Sequence, residues 1–259
     1  DATVKQVYKN TGTTTIEAKS GYGLSVDSEI KLLEASSELT NNICNVLPTW
    51  LGAHDCPKDK SKQEYMEELI NVQLPIVCEN NLAKWVDVFC EPGWFNLEET
   101  ESIVNAAKEL GLKSRLHVDE FVDSNGLNLA AELGSASADH VGFSNSDSRE
   151  KAHVSGTMQV FLPGTPYVLG KDLGNGINDC LDNNWNFSLA TDFNPNCQTL
   201  SLPFVASLAT HRLGMDPLAA LVACSRNPAS TLNSELKLNV GSIYELSLIH
   251  ISEPTRLRR

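Results

Sequence analysis

The stretch that decides the fold runs from Trp85 to Val118. It opens as Trp85-Val-Asp-Val-Phe-Cys90. It continues as Asn96-Leu-Glu-Glu-Thr-Glu-Ser-Ile-Val-Asn-Ala-Ala-Lys-Glu-Leu110, turns at Gly111, and closes as Lys113-Ser-Arg-Leu-His-Val118. The two ends are short, apolar-rich and of strand length. Asn96 can cap a helix between them, and Glu98, Glu99 and Glu101 suit the positive end of its dipole. Gly111 is a helix terminator. Strand, helix and strand in this order predict a parallel pair joined by a right-handed crossover.

The same alternation extends both ways. Towards the N-terminus, residues 13–18 read as a strand, 25–39 as a helix, 45–51 as a strand and 62–81 as a helix that Pro75 should kink or break. Towards the C-terminus, strands are expected at 138–141, 157–162 and 186–191. Helices are expected at 125–133, 147–154, 172–183, 200–212 and 217–225. This makes seven strand–helix units without a domain-sized linker. The expected fold is α/β: a TIM-like (β/α)8 barrel that is one unit short. A doubly wound open sheet is the alternative. It calls for a Gly-rich phosphate turn after the first strand, and Lys19-Ser-Gly-Tyr-Gly23 does not match G-x-G-x-x-G.

The bulk properties narrow the function. A formal net charge of -13 argues against a nucleic-acid surface and against anionic membranes. No run reaches the ~18 apolar residues of a membrane span, and no signal peptide is visible. The seven Cys, at 44, 56, 78, 90, 180, 197 and 224, are odd in number and form no C-x-x-C pair. They read as reduced thiols of a cytoplasmic protein.

Polar groups gather just after the predicted strands: Glu17, Lys19 and Tyr22, then His54, Glu91, His117 with Glu120, His140, and Asp192 with Asn194. In a parallel barrel these ends converge on one face. A histidine there can bind a metal through its neutral ring. His117 alone reads equally as a loop histidine; the arrival of His140 and Asp192 at equivalent places favours a site. Asp192 could ligate a metal and take a proton from its water, or simply form an Asx turn. His140 could stabilise an oxyanion. Glu120 could shuttle a proton, and His54 and Tyr22 could touch substrate. His153 and His211 lie inside predicted helices and read as structural. No Cys has a base partner at useful spacing, although Cys197 is close to Asp192.

The ordered motifs resemble one family. Gly12-Thr-Thr-Thr-Ile-Glu-Ala-Lys-Ser-Gly-Tyr-Gly-Leu24, Trp50-Leu-Gly-Ala-His54, Asp87-Val-Phe-Cys-Glu91, His117-Val-Asp-Glu120, Ser137-Ala-Asp-His140, Phe161-Leu-Pro-Gly164 and Ala190-Thr-Asp-Phe-Asn-Pro195 are similar to imidazolonepropionase segments of the amidohydrolase superfamily. The resemblance implies a metal-dependent barrel, with a small β-sandwich that is mostly missing here. It implies opening of 4-imidazolone-5-propanoate by water to N-formimino-L-glutamate in histidine degradation. It also implies one divalent metal, Zn2+ or Fe2+, on His117 and Asp192, with catalysis by Glu120, His140 and Asp192. Substrate contacts are implied for Tyr22, His54, Glu120 and Asn194, and for the Asn196 and Cys197 loop. A small-molecule substrate is the implied partner, and a homodimer the expected assembly at full length.

Some features depart from the pattern. The family takes two further ligands from a His-x-His on its first strand, and an Arg for the substrate carboxylate from the same region; neither is present. The loop after Pro195 runs Asn196-Cys197-Gln198-Thr199 where the family has Gly and a small hydroxyl residue. The chain is therefore expected to be a stretch of a longer enzyme, inactive by itself. Residues 1–245 are expected to form the truncated barrel. Residues 246–259 resemble a translated sequencing adapter and are expected to be a non-native tail, which removes His250 from the candidates. That tail holds three Arg and one Glu, so the rest carries -15 instead of -13. Two rival functions remain open at this point: another amidohydrolase acting on a different cyclic amide or amino-substituted ring, and a non-catalytic barrel that binds a carboxylated ligand.

Overall fold

A computed structural model describes residues 2–39, 44–232 and 240–242. The proposed tail, and the end of the turn and strand expected from Val240, lie outside the described residues. The chain opens with helix α1 (Ala2–Thr11), which the sequence reading did not anticipate. Then follow β1 (Thr15–Lys19), α2 (Val26–Ser37), β2 (Asn45–Ala53), α3 (Lys62–Glu68), α4 (Leu74–Glu79), β3 (Trp85–Cys90), α5 (Leu97–Glu109), β4 (Lys113–Val118), α6 (Gly126–Glu132) and β5 (Ser137–His140). The chain continues through α7 (Ser146–Ser155), β6 (Met158–Phe161), α8 (Gly164–Val168), α9 (Gly176–Asp182), β7 (Phe187–Leu189), α10 (Leu202–Leu213), α11 (Pro217–Cys224) and α12 (Arg226–Ser230).

The seven strands form one sheet in sequence order, and every neighbouring pair is parallel. This is the expected incomplete barrel, not a doubly wound sheet, whose strand order would reverse at a switch point. Alternation along the strands separates two layers. On β3, Val86, Val88 and Cys90 join the packed layer beneath the helices, as do Leu116 and Val118 on β4 and Ala138 on β5. Their partners in that layer include Tyr65, Leu69, Leu74, Ile103, Val104 and Leu127, all fully buried. The intervening residues Asp87, Arg115, His117 and Asp139 face the sheet's concave side, where they meet one another.

Local chemistry explains the elements. Asn96 caps α5 by accepting from the Glu99 N–H, and the Glu99 carboxylate accepts from the Asn96 N–H. That reciprocal box satisfies two donors that a helix start leaves unpaired. Ser61 and Glu64 do the same for α3. Pro75 does not break the helical stretch. A π-turn over Leu69–Gln73 joins α3 to α4, and Leu74 N–H reaches back to Leu69 O. The extra residue in this wider turn accommodates a proline that has no N–H to donate. α9 starts later than expected, because Asp172 accepts from Gly174 N–H and Gly174 sits at φ +68. Those two features build a turn where helix periodicity alone extended the helix.

Ile103 lies in the middle of α5 and has no exposed surface. Ile103→Ala is expected to lower stability by about 2–5 kcal/mol, measured as a shift in the urea unfolding midpoint at unchanged slope.

Candidate active site

The site is built on a charged cluster inside the curled sheet. Lys19 Nζ lies 2.7 Å from Asp87 Oδ2, 3.0 Å from Asp139 Oδ2 and 3.2 Å from Glu17 Oε1. Thr49 donates its hydroxyl to Glu17, and Arg115 Nε is 3.4 Å from the same carboxylate. Burial alone would discharge Lys19, but the surrounding carboxylates of Asp139, Asp87 and Glu17 raise its pKa well above the lysine range. Asp87 works against its own burial in the same way: His117 and Lys19 hold its pKa below the usual value.

Asp87 in turn fixes His117. Its Oδ1 accepts the His117 backbone N–H at 3.1 Å, and its Oδ2 lies 2.9 Å from His117 Nδ1, off the ideal hydrogen-bond line. Burial would lower the imidazolium pKa of His117; the Asp87 carboxylate overcomes it and pushes the pKa up to about 9. With Nδ1 directed at Asp87, Nε2 is the ring nitrogen left for another partner.

Rings and acids converge around His117. The His140 ring centroid is 5.3 Å away, and His140 Nε2 is 3.5 Å from Glu120 Oε2. Burial, reinforced by the charge on His117, pushes the His140 pKa down to about 4, so its ring is neutral at pH 7. Burial pushes Glu120 up to about 7. Asp192 feels both histidines and accepts a hydrogen bond from the Thr165 hydroxyl. Burial opposes its ionisation, but His140, Thr165 and His117 together lower its pKa. On the other side, the His54 and Phe89 rings stand 5.6 Å apart, and Phe89 stands 5.9 Å from His117. Tyr22 packs edge-on against His54 at 4.9 Å, and burial followed by the Asp192 charge raises its phenol pKa. A cleft beside these groups is lined by Glu120, Phe121, His140, Thr165, Leu169 and Lys171, among others.

His117, His140, Asp192, Glu120, His54 and Tyr22 are therefore brought to one place. The loop after Asp192 behaves differently. The Asn194 side chain donates to Asp192 O at 2.8 Å and accepts from the N–H groups of Asn196 and Cys197. Cys197 is fully buried, and its thiol lies 3.9 Å from the Thr191 carbonyl. Asn194 and Cys197 thus shape the loop with their side chains, while Asn196 is exposed. His153 and His211 lie on α7 and α10.

Two carboxylates that the sequence reading passed over organise the loops. Glu29 is fully buried and accepts from the backbone N–H groups of Gly21, Gly23 and Leu24. Gly23 has no room for a side chain, because a Cβ would come within 2.7 Å of Glu29. Asp119 is also fully buried; it accepts from Ser124, Gly126, Leu127 and the Ser144 hydroxyl. It thereby joins the loop after β4 to the loop after β5. The signal in the sequence was an acid inside a Gly- and Ser-rich stretch, where backbone donors need an acceptor.

Asp87, His117 and Asp139 also form a group whose ligand atoms lie within 4.8 Å of one another and could hold a cation. The Lys19 ammonium contacts both of these carboxylates, so a positive charge is already supplied there.

No family model matches the chain. Among solved structures, similarity is found to a Xaa-Pro dipeptidase with bound methionine (TM-score 0.71, 16% identity, 95% of this chain and 70% of that one). A 5-methylcytosine deaminase from Klebsiella pneumoniae is also similar (TM-score 0.71, 16% identity, 93% of this chain and 65% of that one). Sequential parallel strands, acids and histidines at their C-terminal ends, and these neighbours define an amidohydrolase-type barrel. Sequence similarity goes further. An imidazolonepropionase of Solibacter usitatus is 40% identical over 225 residues, covering 85% of this chain and 54% of that protein. That of Symbiobacterium thermophilum is 36% identical, covering 94% and 59%. By sequence the chain belongs to the imidazolonepropionase family. It spans about half the length of the curated relatives it matches.

Lys19→Met would leave Asp87 buried without its ammonium, and removing one partner of a buried pair costs about 3–5 kcal/mol. Deprived of Lys19, the Asp87 carboxyl favours its protonated form in the folded state. The loss of stability in Lys19→Met should therefore be larger at pH 7.5 than at pH 5, read by thermal unfolding across pH.

Glu91 gives an independent pH signature. It is 1% exposed; one oxygen accepts from Glu120 N–H and the other has no partner. Burial pushes its pKa up to about 7. A carboxyl raised in the folded state stabilises below its unfolded pKa and loses that contribution as pH rises through 7. Glu91→Gln should flatten the decline in unfolding free energy between pH 5 and pH 8; an unchanged slope would contradict the assignment.

Proposed function

We propose that the protein to which this chain belongs hydrolyses 4-imidazolone-5-propanoate to N-formimino-L-glutamate. The convergence of His117, His140, Asp192 and Glu120 at strand ends, in a chain 40% identical to an imidazolonepropionase, carries this reading. His117 and Asp192 are the proposed ligands of a divalent cation, Zn2+ or Fe2+. The donors fit. Nδ1 of His117 is committed to Asp87, which leaves Nε2, and one oxygen of Asp192 takes the Thr165 hydroxyl, which leaves the other. Such a cation, when bound, lowers the pKa of its water towards ~7.

The chain's own groups then have separable tasks. Asp192, held ionised, accepts the proton of the attacking water. His140 is a neutral ring at pH 7 and can donate a hydrogen bond to the oxygen that gains charge as the ring carbonyl is attacked. Glu120, with a pKa near 7, can deliver a proton to the departing ring nitrogen and be recharged at the same pH. Asp87 orients His117 from behind. Tyr22 and His54 form one wall for the substrate, with the loop through Asn194, Asn196 and Cys197 beside Asp192. The His54 Nδ1 is 3.1 Å from the Gly21 carbonyl, so Nδ1 carries the proton and Nε2 is the free acceptor.

The site asks only for a small-molecule substrate. No described helix is long and apolar enough to cross a membrane. All seven cysteines are free, which fits a reducing compartment such as the cytoplasm.

In a version with the full family length, His140→Gln is expected to lower turnover about 100- to 1000-fold, the usual effect of losing an oxyanion donor. Asp192→Asn should abolish metal-dependent turnover. Both are followed by loss of imidazolone ultraviolet absorbance; wild-type rates in either variant would refute the role proposed for that residue.

A further inference from the structure

His140 faces the wrong way for its place in the strand. It lies two residues after Ala138, whose side chain packs beneath the helices. Strand alternation would put His140 on that same helix-facing side. Instead its ring stands 5.3 Å from the His117 ring, and its Nε2 is 3.5 Å from Glu120. The backbone makes the reversal: φ is 74° at His140 and 45° at Val141. Two successive side-chain-bearing residues in the left-handed region are strained, the β-branched valine most of all. Such a turn persists only where its surroundings hold it.

Arg149 supplies that hold. It lies on α7 with 1% of its surface exposed. Its Nη2 donates to the Val141 carbonyl at 2.7 Å, and its Nη1 donates to Gln159 Oε1 at 3.1 Å. The guanidinium carbon is 5.4 Å from the centre of the Phe161 ring. Its Nε makes no hydrogen bond; the nearest carboxylate, Asp179, is 3.7 Å away. Gly176 makes the space, since a Cβ there would come within 2.4 Å of Nη2. A buried guanidinium with so little compensation is costly. From the other side, Val141 N–H donates to Val118 O at 3.0 Å, so the turn is gripped at both ends of Val141.

We propose that Arg149 is a positioning residue that holds the left-handed His140–Val141 turn and so aims the His140 ring into the cleft. The value of this for turnover rests on the function proposed above; the orientation itself does not.

The test is the imidazole nitrogen–proton spectrum of the chain labelled with 15N-histidine, with His140→Gln used to assign the His140 signals. Arg149→Met is expected to displace or split the His140 signals and leave those of His211 unmoved. Glycine adopts positive φ without strain. Val141→Gly should therefore shrink the displacement caused by Arg149→Met, because the turn then no longer needs the guanidinium. Should Arg149→Met fail to fold by circular dichroism, Arg149→Lys, with and without Val141→Gly, makes the same comparison with a cation kept in the cavity. A folded Arg149 variant whose His140 signals stay in place overturns the proposal, as does an equal displacement in the Val141→Gly background. Because none of these readouts needs catalysis, the proposal can fail while the function stands, and the reverse.

Discussion

The structure turns on the ammonium of Lys19. It touches Asp87 on β3 and Asp139 on β5 from its own place on β1. In a flat sheet β1 and β5 would lie about 19 Å apart, four strand spacings of ~4.8 Å. The 3.0 Å contact with Asp139 therefore exists only because the sheet is curled. Three strands are tied by one cation, and the same carboxylate that receives it also orients His117. Folding of the barrel and preparation of the site are thus a single electrostatic arrangement.

Around that centre, the site's parts are aimed by backbone devices. Glu29 gathers the N–H groups of the loop that presents Tyr22. Asp119 knits the loop after β4 to the loop after β5. His140 is turned inward by a left-handed step, and Asp192 itself has a φ of 50°. Positive φ at residues other than glycine recurs where side chains must leave the sheet's alternation, which is where a binding face on a regular scaffold has to depart from regularity.

Much of the architecture was legible because it is written locally. β3 and β4 match their sequence-read limits residue for residue, and the Asn96 cap does what its sequence position suggested. α1 escaped notice although Val4 and Val7, three apart, are both buried and mark its inner face. At the site, the convergence of His117, His140 and Asp192 was readable from their positions at strand ends. The environment that sets their charge was not. Asp87 lies 68 residues from Lys19, and Thr165 lies 27 residues from Asp192. Contacts across such separations leave no periodicity in a single sequence. Nor does alternation reveal that His140 breaks it.

The π-turn before Pro75 carries a consequence for how this segment tolerates change. One surplus residue in Leu69–Gln73 sets the rotation of everything that follows in α4. Removing any one of those residues would close the wide turn and swing the later side chains by about 100° around the helix axis. Leu74 and Val77, both wholly enclosed, would then point away from the layer they fill. Length is the quantity a designer should preserve in this segment: exchanging side chains disturbs packing at one place, whereas a deletion re-indexes the entire helix against the barrel.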